Sequence, residues 1–258
     1  EIGVRLVGSE MCIRDRHCIA LNSRGYAYLW GYNGYNAVSF SDNRKISLPV
    51  MHTLSNITYV EAGSLTSFVV QGFNGIYAQG DNSYGQLGNA TTVNSIEPVK
   101  VQGLINIVEV AAEDNTSFAL DKEGNVYAWG RDTWGLCGDG TSVDVRNIPV
   151  NVLYLSDIVK ISANAQHALA LKSNGDVYAW GTNAAGQLGN GGYGAEYYPV
   201  KIDNIPRMLD VSAGYFFSIA VDASGDVWTW GNNNYCKLGF QNSGNYPSAV
   251  RTLSLIHI

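Results

Sequence analysis

His167-Ala168-Leu169-Ala170-Leu171-Lys172-Ser173-Asn174-Gly175-Asp176-Val177-Tyr178-Ala179-Trp180-Gly181 reads as two strands joined by a tight turn. The first half alternates large and small side chains, which suits a strand covered on both faces. Asn174-Gly175 supplies the pair of residues that tolerate positive φ in a tight hairpin. In the second half Val177, Ala179 and Gly181 share one face, and Tyr178 and Trp180 share the other. Upstream, Ile158-Val159-Lys160-Ile161-Ser162-Ala163 is a β-branched run that predicts a further strand. Downstream, Pro199-Val200-Lys201-Ile202 predicts a short edge strand, where the N–H missing from proline would face solvent.

That unit recurs. The stretches that start at Gly25, Gly75, Gly124, Gly175 and Gly225 close on Trp30-Gly31, Gln79-Gly80, Trp129-Gly130, Trp180-Gly181 and Trp230-Gly231, with closing glycines 49, 50, 51 and 50 residues apart. A second element follows: Gly85-Gln86-Leu87-Gly88, Gly135-Leu136-Cys137-Gly138, Gly186-Gln187-Leu188-Gly189 and Cys236-Lys237-Leu238-Gly239. Its glycines permit a tight turn, and its third residue is an apolar plug aimed at the core. The first repeat is expected to lack the element, because Asn36-Ala37-Val38-Ser39 stands there. A third element, Ala62-Gly63 and Ala213-Gly214, is replaced by Ala112-Glu113 and Ala163-Asn164 in the intervening repeats.

Four short strands per ~50 residues, glycine-rich turns and no helical period describe an all-β chain of β-propeller blades. One blade cannot bury its own two faces, so neighbours must cover them and stability is shared along the array. The repeated tryptophan is expected to pack between blades. Together the three elements resemble the regulator of chromosome condensation repeat family across residues 17–252. That resemblance implies a propeller of typically seven blades, of which this chain would hold four repeats and the later part of another, an incomplete ring of about four and a half blades. An unfinished ring leaves two blade faces uncovered, which predicts self-association.

The two ends fit neither repeat. Leu6-Val7-Gly8-Ser9-Glu10-Met11-Cys12-Ile13-Arg14-Asp15 translates CTC GTG GGC TCG GAG ATG TGT ATA AGA GAC, which resembles a sequencing-library transposase adapter. Leu253-Ser254-Leu255-Ile256-His257-Ile258 translates the reverse complement of the same transposon end. Residues 1–16 and 253–258 are therefore expected to be adapter-derived, and residues 17–252 a partial domain of a longer protein.

The formal net charge of −6 is unchanged by that exclusion, and it argues against nonspecific phosphate binding, so no nucleic-acid partner is expected. No apolar run is long enough to span a membrane. Cys18, Cys137 and Cys236 all occupy repeat positions of structural type, and no Cys/His metal spacing exists, so no metal and no cofactor are expected. His17 and His167 share a repeat position with Thr66, Thr116 and Phe217, which points to packing or turn capping; His52 lies elsewhere in the repeat. No nucleophile motif adjoins them. Gly189-Asn190-Gly191-Gly192-Tyr193-Gly194 matches a dinucleotide fingerprint but opens no helix, so it is a coincidence of glycines. Asn56, Asn89 and Asn115 begin glycosylation triplets of the kind that arise often in Asn-rich loops.

The resemblance also admits light sensing, since one plant member works through a dense tryptophan cluster. Here Trp30, Trp129, Trp180 and Trp230 are the repeat's own residues, Trp228 takes a tyrosine place, and only Trp134 is off pattern. The freest segments are the loops after each Trp-Gly, including Ser39–Lys45 and Gly192–Tyr198. Their aromatic and glycine content suits rigid anchors on adaptable backbone. Tyr35, Trp134, Tyr193, Tyr197 and Tyr198 are the candidate contacts for another protein, against the alternative that the tyrosines only pad a blade edge. The expected function is thus a non-catalytic scaffold for protein–protein recognition. The alternative implied by the family's founding member is guanine-nucleotide exchange on a small GTPase, without covalent chemistry. Composition and loop character suggest a bacterial source, and the family resemblance then implies an extracellular or cell-surface location, with the cytoplasm as the alternative.

Overall fold

The computed structural model of the chain describes residues 4–5, 16–38, 44–164 and 166–254. Among the described residues the fold is all-β, built of five four-stranded antiparallel meanders. The first sheet is β1 (Val4–Arg5), β2 (His17–Asn22), β3 (Ala27–Tyr32) and β4 (Lys45–Met51). The second is β5 (Tyr59–Ala62), β6 (Thr66–Val70), β7 (Ile76–Gly80) and β8 (Ser95–Lys100). The third is β9 (Ile107–Glu113), β10 (Thr116–Asp121), β11 (Val126–Arg131) and β12 (Val145–Asn151). The fourth is β13 (Ile158–Ala163), β14 (His167–Lys172), β15 (Val177–Gly181) and β16 (Glu196–Lys201). The fifth is β17 (Met208–Gly214), β18 (Phe217–Asp222), β19 (Asp226–Asn232) and β20 (Asn245–Ser254). Pro199 lies on β16, an edge strand as expected.

The described residues of 1–122, with 128–131 and 144–150, form one compact unit; those of 123–127, 132–143 and 151–258 form a second. In the first unit Ile19, Ala27, Leu29, Val38, Val60, Ala62 and Val69 make one buried cluster between consecutive sheets. In the second, Leu169, Val177, Ala179, Leu188, Met208, Val211 and Trp230 do the same. Burial of β14 on both faces follows directly from its alternating sequence.

Two expectations need correction. The β14–β15 turn is not a two-residue hairpin, because only Gly175 takes a positive φ, at 89°. Gly175 N donates to Lys172 O and Lys172 N to Asp176 O, while the Asn174 side chain accepts from Asp176 N. Asn174 thus braces a longer turn instead of supplying a left-handed backbone. Nor does the first repeat lack its plug. Val38 is buried in the cluster above, and its N–H donates to Asn33 Oδ1 at 3.0 Å. Only the flanking glycines are missing, since the plug needs an apolar side chain and a held amide.

Asn33 belongs to a column that the motif reading overlooked. Two residues beyond each closing glycine stand Asn33, Asn82, Asp132, Asn183 and Asn233, all buried. Each accepts the plug amide through Oδ1: Val38, Leu87, Cys137, Leu188 and Leu238 donate at 2.8 to 3.0 Å. The asparagine Nδ2 groups then donate outward. Asn82 reaches Thr91 O and Val93 O, Asn183 reaches Gly192 O, and Asn233 reaches Phe240 O. One side chain therefore ties the buried plug to the exposed loop.

The repeated tryptophans hold consecutive repeats together. Trp129 Nε1 donates to Gln86 O, Trp180 Nε1 to Leu136 O and Trp230 Nε1 to Gln187 O, each at 2.8 Å. In every case the acceptor lies just before the plug of the preceding repeat. Gln79 takes the tryptophan's place in the second repeat, and its Nε2 donates to the equivalent Ala37 O at 3.2 Å. Gly88 shows why the glycine follows: a Cβ there would lie 2.9 Å from Trp129 Nε1, and φ is +63°. Gly138 and Gly189 face Trp180 and Trp230 in the same way.

Strand β1 and the last two residues of β20 fall within the segments read as adapter. Val4 pairs with Asn22 and Arg5 with Leu21, contacts made by the main chain that any extended sequence satisfies. Apart from Arg16, the other residues of those segments, and Ser39–Asn43 of the first loop, lie outside the described residues.

Candidate partner-contact surface

The loops after each closing glycine begin with a turn whose second residue is Tyr35, Tyr84, Trp134, Ala185 or Tyr235. Trp134 is thus on pattern, in an aromatic column. Tyr35, Trp134 and Tyr235 all adopt left-handed φ, at 57°, 63° and 63°. Such values are unusual for bulky residues, and here they turn the side chain away from the core. Trp134 is 54% exposed and Tyr235 is 96% exposed.

Further along, the loop tips dock on the outer strand of the following repeat. Ala90 N donates to Asn147 O, Gly140 N to Tyr197 O and Gly191 N to Pro247 O. The turn glycines pack on the same three residues: a Cβ on Gly85, Gly135 or Gly186 would meet Asn147, Tyr197 or Pro247 within 2.7 Å. Tyr197 therefore has a structural duty that its counterparts in other repeats share, and its ring covers Gly135 beside Trp134. The Tyr198 ring lies against Gly140 and tilts onto Tyr154, with ring centres 5.2 Å apart. Tyr154, 76% exposed with φ of 61°, was not among the residues singled out from the sequence. Its position outside the repeat motifs gave no signal.

The five candidates thus divide. Trp134, Tyr197 and Tyr198 gather around the 132–143 loop, joined by Tyr154. Tyr193 sits apart, its hydroxyl donating to Asn245 O at 3.4 Å. Tyr35 is exposed in the first unit.

His17 and His167 were expected to pack or cap a turn, and each finds a partner about fifty residues away. His17 Nε2 lies 2.9 Å from Ser67 Oγ, and His167 Nε2 lies 2.7 Å from Ser218 Oγ. These pairs have the spacing of a nucleophile and its base, but not the direction. Ser67 Oγ donates to Ala37 O and Ser218 Oγ to Gln187 O, so both hydroxyl protons are directed to main-chain carbonyls. Both serines are buried, out of reach of a substrate. Burial lowers the His17 pKa to about 4 and that of His167 to about 3, which keeps both rings neutral. His52 is also lowered by burial, and its Nδ1 accepts from Leu54 N. Among the described residues no group of three His, Cys, Asp or Glu could hold a metal ion. No helix among them is long and apolar enough to cross a membrane.

The family model of the regulator of chromosome condensation (RCC1) repeat matches residues 74–120, 123–171, 174–221 and 224–258. Human E3 ubiquitin-protein ligase HERC2 is 27% identical over 184 residues, covering 68% of this chain and 4% of that protein. The ultraviolet-B receptor UVR8 of Arabidopsis thaliana is 27% identical over 206 residues, 78% of this chain and 46% of the receptor. The chain therefore spans less than half the length of these curated relatives. Among solved structures, Prp20p of Saccharomyces cerevisiae, described with its binding to Gsp1p and histones, superposes with a TM-score of 0.81 at 23% identity. That match covers 94% of this chain and 62% of Prp20p, and at this identity it establishes the propeller fold alone.

Proposed function

The chain belongs to the regulator of chromosome condensation repeat family, and on that premise we propose that it is a non-catalytic β-propeller scaffold that presents its loops to another protein. The observation that carries this reading is the set of exposed aromatics Trp134 on the 132–143 loop, Tyr198 on β16 and Tyr154 in the turn between β12 and β13. Rings held by a short turn and by a tilted ring contact lose little freedom on binding, which favours recognition. The buried, misdirected serine–histidine pairs argue against hydrolysis by those groups. Binding of other proteins by Prp20p supports the same use of the fold.

Residues 17–252 are read as the native portion, so the test uses that span. Trp134→Ala and Tyr154→Ala are compared with wild type in proximity capture from the source cells, followed by titration with the purified captured protein. A loss of affinity of tenfold or more, with an unchanged unfolding midpoint, is the expected result. Equal affinity for both variants removes this surface from the proposal. If the captured protein is a small GTPase, nucleotide-release kinetics then separate a plain binder from an exchange factor.

A further inference from the structure

The second and fourth repeats share a turn but not all of its hydrogen bonds. In the second, Gln86 is fully used: Oε1 accepts from Tyr84 N at 2.9 Å, and Nε2 donates to Asp81 Oδ2 at 2.9 Å and Asn115 Oδ1 at 3.3 Å. In the fourth, Gln187 Oε1 accepts from Ala185 N at 2.9 Å. Thr182 and Phe216 stand where Asp81 and Asn115 stood, and Gln187 Nε2, fully buried, has no protein acceptor.

Two more buried side chains beside it are in the same position. Asn164 has no protein partner for either Oδ1 or Nδ2, and His167 has none for Nδ1. Both are at most 1% exposed. Asn164 N donates to His167 O at 2.9 Å, so the two oppose each other at the end of the β13–β14 hairpin with side chains on one face. His167 Nε2 meets Ser218 Oγ, which donates to Gln187 O, so a chain of hydrogen bonds links all three residues. The second and fifth repeats carry Gly63 and Gly214 at the Asn164 column, with no polar side chain to satisfy.

The chemistry of the four unpartnered atoms limits what can meet them. Ser117 Oγ donates to Gln86 O although Thr116 replaces the histidine there, so the Ser218 proton belongs on Gln187 O. His167 Nε2 then carries the ring proton, and Nδ1 is a bare acceptor. The set is two donors, Asn164 Nδ2 and Gln187 Nε2, and two acceptors, Asn164 Oδ1 and His167 Nδ1. An anion would meet the acceptors and a cation the amide N–H groups, both unfavourably. A small neutral molecule that donates and accepts equally satisfies all four. We infer that internal water, bonded to His167 Nδ1 and the Asn164 carboxamide with Gln187 Nε2 as a further donor, is a structural component of the fourth repeat.

High-resolution crystallography of the full chain, with water–protein nuclear Overhauser spectroscopy, tests this. Solvent density within hydrogen-bond distance of His167 Nδ1 and Asn164, and a long-lived water signal at the His167 ring protons, are expected. Asn164→Gly adopts the residue of the second and fifth repeats and should fold; in it that water signal should fall at least severalfold. A dry site with Asn164 paired directly to protein groups would overturn the inference. So would an unchanged water signal in Asn164→Gly, or a ring nitrogen shift that places the proton on Nδ1.

Discussion

Trp180 and Trp134 lie in the same unit, and they have opposite fates. Trp180 is fully buried, donates its indole N–H to Leu136 O and faces a glycine that leaves room for it. Trp134 sits on a left-handed turn beside Tyr197's strand with half its surface in solvent. The first is dictated by the repeat, since the same bond recurs for Trp129 and Trp230. The second is free to differ, as Ala185 and the fully exposed Tyr235 show at the same column. A repeat protein keeps its fold in one set of aromatics and can place recognition in another.

The largest effect should come from the buried set. Trp230→Ala removes a fully buried ring and the donor to Gln187 O, and should cost roughly 3–5 kcal/mol by urea denaturation. Trp230→Phe should cost less, because Ser218 still donates to that carbonyl. Equal losses for both would place the cost in the indole N–H, which both variants lack, and not in the buried ring.

Acid should act next. His17 and His167 have folded pKa values below the unfolded value of 6.5. Their contribution is therefore complete above about pH 6.5 and is lost as pH falls toward about 4 for His17 and about 3 for His167. For His17 alone the loss amounts to about 3 kcal/mol. His17→Thr, the residue of the second and third repeats, should flatten the fall in stability between pH 6.5 and 4; an unchanged slope would place the acid sensitivity elsewhere.

Asn183→Ala orphans the Leu188 amide and releases Gly192 O, and should cost about 1–3 kcal/mol. Hydrogen exchange should quicken at Leu188 and along the 190–194 loop together. Exchange that quickens at only one of them would separate the plug from the loop.

The smallest effect tests a pairing visible in the sequence. The glycine column reads Ser39, Gly88, Gly138 and Gly189, and the following repeats read Gln79, Trp129, Trp180 and Trp230. The one repeat without the glycine precedes the one without the tryptophan. Gln79→Trp should destabilise the wild type but be better tolerated with Ser39→Gly, giving a coupling of about 0.5–3 kcal/mol in a double-mutant cycle. Additive effects would make the pairing accidental.

The fold was legible because propeller blades repeat their motifs at a fixed period, so Trp180, Leu188 and Pro199 each announced a place. The Asn33-to-Asn233 column was equally periodic, yet asparagine near glycine reads first as a turn former and hides a buried tether. Val38 was missed because the motif was sought by its glycines instead of its plug. The site was less legible. Trp134 and Tyr198 were visible as loop aromatics, but Tyr197's packing on Gly135 and the tilted contact of Tyr154 with Tyr198 depend on contacts between distant segments. Ser67 and Ser218, about fifty residues from their histidines, were beyond any local motif.

The division of aromatics is tested most directly by equilibrium urea denaturation of Trp134→Ala beside Trp180→Ala. Trp134→Ala should stay within about 0.5 kcal/mol of wild type, while Trp180→Ala falls by roughly 3–5 kcal/mol. If Trp134→Ala falls as far as Trp180→Ala, the loop tryptophan belongs to the fold and the proposed contact surface is wrong.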